Sequence, residues 1–410
     1  MPKHVAMKIL QVCKKYPYPL KDGESIAIHN LSRSLTDAGA QVSLLAMNTL
    51  RHPYRGPTPS AFEHYEEVHT VPVDNRIRAW PALQNLFSSS SYHIDRFISP
   101  AFAKKLQSLL AQKDYDVIQL ETIYLAPYLD TIRQHSHATV AMRAHNVEHE
   151  IWQRMVAHCG LGPKRWYLRH LTRKLARFER EMLQEYDLLV AITRRDLAAF
   201  QQMGYRNPGV VTPIGLLLSD YDRPEPTRPN GHLSVSFIGS LDWMPNIEGL
   251  RWFLDTTWPL ISSRWPNMRL HIAGRNTPDW LRDRTAGGVI VHGEVPDAAE
   301  FIQKHPLMVV PLRSGSGMRA KILEGMAMGK AVLTTTLGLE GIDAEPGREV
   351  LVADQPEEFV SRIADIQENP LLLEDMGDRA RQLVAAAYDR NQLGQQLLLT
   401  YQELRMKVLP

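Results

Sequence analysis

Lys8-Ile9-Leu10-Gln11-Val12, then a loop with Pro17, Pro19 and Gly23, then an amphipathic stretch from about Ser25 to Ala38 that stops at Gly39, then Gln41-Val42-Ser43-Leu44-Leu45-Ala46: residues 8–46 read as strand, helix, strand. Connections this short between two apolar runs define a βαβ unit, and successive βαβ units build a parallel sheet covered on both faces. The rhythm continues outward. A helix through Ala103–Gln112 leads to the strand Asp116-Val117-Ile118-Gln119-Leu120, and Thr139–Met142 and Asp187–Ile192 are further strands. Pro208, Pro213, Pro224, Pro226 and Pro229 gather in a polar stretch that marks a domain boundary. Beyond it Ser234–Ile238, Arg269–Ala273, Val289–Val291, Leu307–Val310 and Ala331–Thr334 read as strands, and Asn246–Leu254 as a helix. The expected fold class is α/β, with two Rossmann-like, doubly wound parallel-sheet domains over residues 1–212 and 213–390. A final helix, Asn391–Lys407 within 391–410, is expected to pack back on the first domain. Ligands of open α/β sheets lie beyond the carboxyl ends of the strands, so an interdomain cleft is the expected binding place.

Composition narrows the function. A chain of 410 residues exceeds one ordinary hydrophobic core, and 44% hydrophobic with 22% charged residues is globular. The net charge of +2 gives no case for a nucleic-acid partner. The charge is unevenly spread, however. Residues 1–213 carry 27 Lys/Arg against 19 Asp/Glu, and the remainder 20 against 26, so the N-terminal half is suited to face something anionic. Cys13 and Cys159 are too few for a disulfide framework or a cysteine zinc site, and Cys13, in an apolar run, reads as a buried small hydrophobe. There is no run of about 18 apolar residues, and Met1–Leu10 lacks the apolar region of a signal peptide, so a cytoplasmic protein is expected.

The stretch that carries the chemistry is Ser314-Gly315-Ser316-Gly317-Met318-Arg319-Ala320-Lys321-Ile322-Leu323-Glu324-Gly325-Met326-Ala327-Met328-Gly329. It follows a strand and opens a helix. Glycines there let backbone N–H groups approach a ligand, and a helix N-terminus attracts phosphate. Arg319 and Lys321 place cations at the end where the helix dipole favours acids, an arrangement that calls for a bound anion. Glu324, one turn on, has the paired acceptors that suit a ribose diol.

This stretch resembles the donor-binding motif of the family-4 retaining glycosyltransferases of the GT-B fold. Those enzymes carry two glutamates eight positions apart, then Ala-Met-Ala-x-Gly. Glu324 with Met326-Ala327-x-Gly329 matches the second glutamate, while Ser316 stands at the position of the first. The form Gly-Ser-Gly-x-Arg-x-Lys-x-Leu-Glu is a variant found in bacterial exopolysaccharide and capsule enzymes. Phe237-Ile238-Gly239-Ser240-Leu241-Asp242-Trp243-Met244-Pro245-Asn246 looks like the entry to the donor domain. Ser240 and Asn246 lie where the family places a diphosphate-binding Arg and Lys, a role the resemblance then assigns to Arg319 and Lys321. Val291–Asp297, with Val295, resembles the loop that holds the nucleotide base, and Arg275, after the strand ending at Ala273, points towards the same cleft. In the first domain His145, in Arg143-Ala144-His145-Asn146-Val147-Glu148, matches the family's cleft histidine, which positions the transferred sugar, with Glu148 as a candidate to orient it. Gly23, in Asp22-Gly23-Glu24, resembles the family's glycine-rich loop, with one of its usual two glycines.

The resemblance implies a hexosyltransferase that uses a GDP- or UDP-linked donor as substrate, without a cofactor or metal, and retains configuration. The acceptor would be a polysaccharide or a lipid-linked oligosaccharide. The leaving phosphate oxygen would serve as base, which suits the lack of an obvious catalytic carboxylate pair. The strings Asp114–Asp116 and Asp220–Asp222 resemble metal-binding DxD motifs, but one opens a strand and the other lies at the domain boundary, so both are read as structural. Lys164–Arg180 forms a basic helix with seven Lys/Arg and with Trp166 and Tyr167, read either as a solvated face or as a peripheral contact with the inner face of the cytoplasmic membrane. A nucleotide-sugar 2-epimerase of similar fold and a non-catalytic sugar-binding relative remain as alternatives. An NAD-dependent oxidoreductase is disfavoured, because only Gly23 follows the first strand where Gly-x-Gly-x-x-Gly is needed.

Overall fold

The computed structural model describes residues 6–20, 22–157, 159–222, 233–315 and 317–408. The chain divides into two compact units, Met1–Gly215 with Arg390–Pro410, and Leu216–Asp389.

In the first unit, β1 (Lys8–Cys13), β2 (Gln41–Thr49), β3 (Glu67–Val73), β4 (Val117–Leu120), β5 (Thr139–Ala144), β6 (Leu188–Ala191) and β7 (Gly209–Val211) form one parallel sheet. Its order is β3-β2-β1-β4-β5-β6-β7. The chain winds one way from β1 to β3, then returns to lay β4 on the other side of β1. Connections therefore leave the carboxyl ends of β1 and β4 in opposite directions and open a crevice there. Alternate residues of β1 serve two cores. Leu10 and Val12 join Leu45, Phe102, Leu106, Ile118 and Leu120 on one face. Ile9 and Cys13 join Ile28, Leu31, Leu35 and Val117 on the other, together with Leu397, Leu398 and Tyr401 of the helix Arg390–Val408. Burial of both faces is why these strands read as continuous apolar runs.

The second unit repeats the plan. β8 (Ser234–Ile238), β9 (Arg269–Ala273), β10 (Val289–Gly293), β11 (Leu307–Val310), β12 (Ala331–Thr334) and β13 (Leu351–Val352) are parallel in the order β10-β9-β8-β11-β12-β13. The winding reverses between β8 and β11.

The sequence reading omitted β3, β7 and β13, and each lies at a sheet edge. Edge strands need no continuous apolar run, and β3 even tolerates Pro72, whose missing N–H costs no ladder bond at an edge. The helix expected at Asn246–Leu254 starts at Met244 and runs on through a π turn, Phe253–Thr257, to Arg264. Pro259 offers no N–H to the preceding turn, and the backbone widens just before it. No helix among the described residues is long and apolar enough to cross a membrane.

Burial, reinforced by neighbouring cations, lowers His29, His64 and His93 to about 4. Burial with His271 and His292 alongside takes His305 to about 3. The folded values lie below the unfolded one, so the unfolded chain binds protons first as the pH falls. Stability present above about pH 6.5 should be lost as the pH drops towards 4, by up to about 1.4 kcal/mol per pH unit for each histidine. Urea titrations from neutral pH down to about pH 5 would measure this. A flat profile would show that these imidazoles are hydrated in the native state.

Candidate functional site

In the second unit the chain leaves β11 through buried Pro311 and Leu312 and enters the glycine loop before the helix Ala320–Ala327. Gly315 and Gly317 adopt φ of 106° and 81°, a left-handed backbone that side chains other than glycine rarely accept. Ser316 lies outside the described residues. Met318 is half-buried against the core beneath the helix, a core that Val295 of the loop after β10 also covers. Arg319 occupies the N-cap position and is buried. Its Nη1 donates to the Gly317 carbonyl, and its guanidinium lies 6.0 Å from the centre of the Trp243 ring.

Lys321 reaches across the sheet's reversal point. Its Nζ donates to Asn246 Oδ1 at 2.7 Å and to the Ile238 carbonyl at the end of β8 at 3.2 Å. Asn246 Nδ2 in turn donates to the Ser240 carbonyl at 2.8 Å. Glycine at 239 leaves room for this approach, since a Cβ there would stand 2.7 Å from both Lys321 Nζ and Asn246 Nδ2 and would push them aside. The approach requires glycine at 274, where a Cβ would lie 1.9 Å from the Gly239 carbonyl oxygen. Beyond β9, Arg275 Nε donates to Ser240 Oγ at 2.6 Å, and Ser240 Oγ donates to Asp242 Oδ1 at 2.5 Å. The structure thus gathers Gly239, Ser240, Asn246, Arg275 and Lys321 at the carboxyl ends of β8, β9 and β11, with Arg319 beside Lys321.

Electrostatics here favour an incoming anion. Burial, then the neighbouring Arg319, lower Lys321 to about 7, and Glu324 only partly opposes them. Lys321, read from the sequence as a cation, is left by its burial with its proton finely balanced near neutral pH. Glu324 is half-buried, and burial raises its carboxyl against the pull of Lys321 and a hydrogen bond with Tyr221.

In the first unit His145 follows β5, and its orienting partner differs from the one expected. Glu121, just past β4, is fully buried and 2.9 Å from His145 Nε2. Its carboxylate also accepts from Gln11 Nε2 at 2.6 Å, from Gln119 Nε2, and from Arg143 Nη1 at 3.5 Å. Tyr65 donates to Gln11 Oε1 at 2.7 Å, and Tyr401 of the C-terminal helix to Gln119 Oε1 at 2.6 Å. Burial pushes Glu121 up, but Arg143, His145 and Gln11 hold it below the usual carboxylate value. Glu148 lies elsewhere, accepting from the Tyr124 hydroxyl at 3.2 Å. Burial, with Glu179 and Glu24 near it and Lys14 opposing, raises it to about 7. Glu148 turns away because it begins the next helix, whose first turns are tied to Glu179. Gly23 is the first residue of the helix Gly23–Asp37, capped by Asp22, with open space where a Cβ would stand.

The aspartate strings have structural partners. Asp116 accepts from the Lys8 N–H at 2.8 Å and pairs with Arg405, and Asp222 pairs with Arg381. Among the described residues no group of three or more His, Cys, Asp or Glu is arranged to hold a metal ion. Cys13 is buried, and burial raises its thiol.

Residues 22–215 match the family described as glycosyl transferase 4-like domain, and residues 232–369 the family described as glycosyl transferases group 1. Sucrose-phosphate synthase from Thermosynechococcus elongatus shares the fold with a TM-score of 0.70 at 15% identity, covering 98% of this chain and all of that one. The Anabaena protein HepE, solved with UDP, has a TM-score of 0.68 at 16% identity over 97% of this chain and all of its own; it has also been solved with UDP-glucose. An uncharacterized 44.6 kDa protein in the cps region of Klebsiella pneumoniae is 23% identical over 165 residues, 38% of this chain and 42% of that protein's length. The fold and both family matches define a GT-B glycosyltransferase. The chain belongs to the group-1, family-4-like glycosyltransferases.

Removing the charge at Glu121 leaves Arg143 buried without its counter-ion. Glu121→Gln should therefore destabilise the protein by about 3–5 kcal/mol. Tyr401→Phe, which frees only one amide acceptor, should cost about 1 kcal/mol. Urea denaturation would measure both, and equal losses would mean that the carboxylate is not the ionic centre of the network.

Proposed function

We propose that this chain moves a hexosyl group from a nucleotide-diphosphate sugar to a polysaccharide or lipid-linked oligosaccharide acceptor, with retention and without metal. The observation that carries the reading is the pairing of Lys321 and Arg319 at the reversal point between β8 and β11, beneath a glycine loop. A diphosphate there would meet a helix N-terminus and two cations that need no divalent ion to offset its charge. Glu324, one turn further, is read as the acceptor for a ribose diol. His145, held by Glu121, is read as positioning the transferred sugar. The UDP and UDP-glucose complexes of HepE support a nucleotide-sugar donor, and make a uridine nucleotide the first probe. The Klebsiella relative, a protein of a cps region by its description, supports an exopolysaccharide acceptor. The basic helix Pro163–Met182 supports work at the inner face of the cytoplasmic membrane, where a lipid-linked acceptor would lie.

Two measurements test this reading. The diphosphate of UDP-glucose stays dianionic from mildly acid to mildly basic pH, so the protein's own groups set any pH dependence of binding there. Lys321 is protonated below about 7 and loses its proton above it. Affinity by titration calorimetry should hold below that value and then fall, approaching tenfold per pH unit. Lys321→Met should bind more weakly, with a flat profile. A flat profile for the wild type with both UDP-glucose and GDP-mannose would place the anion elsewhere.

Turnover with a defined donor and acceptor should survive exhaustive treatment with EDTA. Loss of activity that manganese or magnesium restores would overturn the metal-free reading.

A further inference from the structure

We infer that the cavity beside the connection after β3, lined by Arg76, Arg78 and Arg96, binds a sugar that carries an oxyanion, either a carboxylate or a phosphate. The inference rests on the reading of a saccharide acceptor for its biological sense, and gives that acceptor a chemical class: one with an acidic group.

The cavity has a volume of about 440 Å³, enough for a sugar, and all of its lining belongs to the first unit. Residues 74–96 build it by folding back on themselves as the chain leaves the carboxyl end of β3. The Tyr92 hydroxyl fastens the two arms, accepting from the Arg78 N–H at 2.9 Å and donating to the Arg78 carbonyl at 3.1 Å. Further along, Asn85 Nδ2 donates to Asp95 Oδ2 at 2.9 Å, and Ser90 Oγ donates to the same oxygen at 2.7 Å. The helix Ala79–Gln84 and the 3-10 turn Asn85–Phe87 rest on the helix Pro163–Met182. There Tyr167 donates to the Ala82 carbonyl at 3.0 Å, and Lys174 donates to the Asn85 carbonyl. The cavity is thus held in shape from within and from behind.

Charge and unmet donors identify the ligand. Asp74 serves two guanidiniums, Arg76 at 2.9 Å and Arg78 at 2.5 Å. Asp95 is occupied by the neutral donors of Asn85 and Ser90. Arg96 is half-buried beside the rings of Tyr92 and Phe97, 5.9 and 5.6 Å from their centres. Its Nη1 donates to the Asn75 carbonyl at 3.3 Å, while its buried Nε donates to nothing among the described residues. Burial, then the nearby Arg51, lowers its pKa against the pull of Tyr124 and Tyr92, so its own surroundings disfavour its charge. The lining therefore holds three guanidiniums and two carboxylates, and the surplus falls on the arginine that has no carboxylate partner among the described residues. An oxyanion there would supply the missing counter-charge and can take two parallel N–H bonds from a planar guanidinium. The amide of Gln84 and the hydroxyls of Ser88 and Ser90 line the same space and offer the donors and acceptors that suit sugar hydroxyls. The cavity is also tied to the crevice of this unit, since the ring of Phe97 lies 5.1 Å from that of Tyr124, which donates to Glu148.

The test is a ligand-observed NMR titration of the full-length protein at constant ionic strength, with glucuronic acid, glucose 1-phosphate, glucose and inorganic phosphate as probes. Transfer is not measured, so a protein that binds the charged sugars but is inactive would fail the transfer reading alone. At least one charged sugar should bind about tenfold or more tightly than glucose, and the tighter of the two identifies the anion as carboxylate or phosphate. R96Q should weaken that binding about tenfold, because the charged donor is lost. R96K, which keeps the charge and loses the fork, should fall between R96Q and the wild type. R76Q/R78Q, at exposed positions, should also weaken it about tenfold, since Asp74 is then left to repel the anion. Thermal unfolding serves as the control that each variant remains folded. Binding should be the same with UDP present, because the cavity is separate from the donor loop of the second unit. Glucose or inorganic phosphate bound as tightly as the charged sugars, or no binding of either charged sugar, would overturn the inference. So would wild-type binding by both R96Q and R76Q/R78Q, or displacement of the probe by UDP.

Discussion

Each sheet winds outward in both directions from one strand, β1 in the first unit and β8 in the second, because parallel strands need right-handed crossovers that cannot overlap on one edge. The constraint leaves one place on each sheet where neighbouring connections part. Backbone ends and polar side chains can stand there without filling a core. Nearly every residue with a chemical claim in this chain stands at such a place: Glu121 and His145 after β4 and β5, and Gly239, Asn246, Arg275 and Lys321 after β8, β9 and the β11 loop.

The two places are built differently. In the second unit the polar groups are drawn close by the absence of side chains, since Gly239 and Gly274 let backbone, amide and ammonium meet. The outcome is a lysine whose proton is loosely held and an arginine close by, an arrangement suited to a ligand that brings its own negative charge. In the first unit the polar groups satisfy one another. Glu121 has four donors around it, so its charge is settled before any ligand arrives, and its effect is to hold His145 in one orientation. The first arrangement is left with its charge unsettled, and the second is rigid in advance.

The surface of the first unit adds a third feature. The helix Pro163–Met182 buries one side in the unit and keeps its arginines outward, while the segment resting on it turns rings and aliphatic chains to solvent. The same helix anchors the apolar segment through Tyr167 and Lys174.

Much of this was legible in the residues alone. Runs such as Lys8–Val12 and Leu307–Val310 announce strands buried on both faces, and Gly-Ser-Gly-x-Arg-x-Lys-x-Leu-Glu announces a glycine loop that opens a helix, because both signals are local in sequence. Of the four edge strands only β10 was legible; β3, β7 and β13 were not, since each leaves too short a buried pattern. Glu121 was missed for a different reason. Its partners Gln11, Gln119, Arg143 and His145 come from three strands, and Tyr401, which reaches Gln119, is 282 positions along the chain from it. The signal was there, as glutamines inside strands that are otherwise apolar and a glutamate directly after one, but only the register that sets Gln11 opposite Gln119 brings them together. Sequence by itself determined the alternation of strands and helices and the residue types of the glycine loop. Tertiary structure alone decided which carboxylate holds the histidine and how firmly Lys321 keeps its proton, because both depend on burial and on distances between residues far apart in the chain.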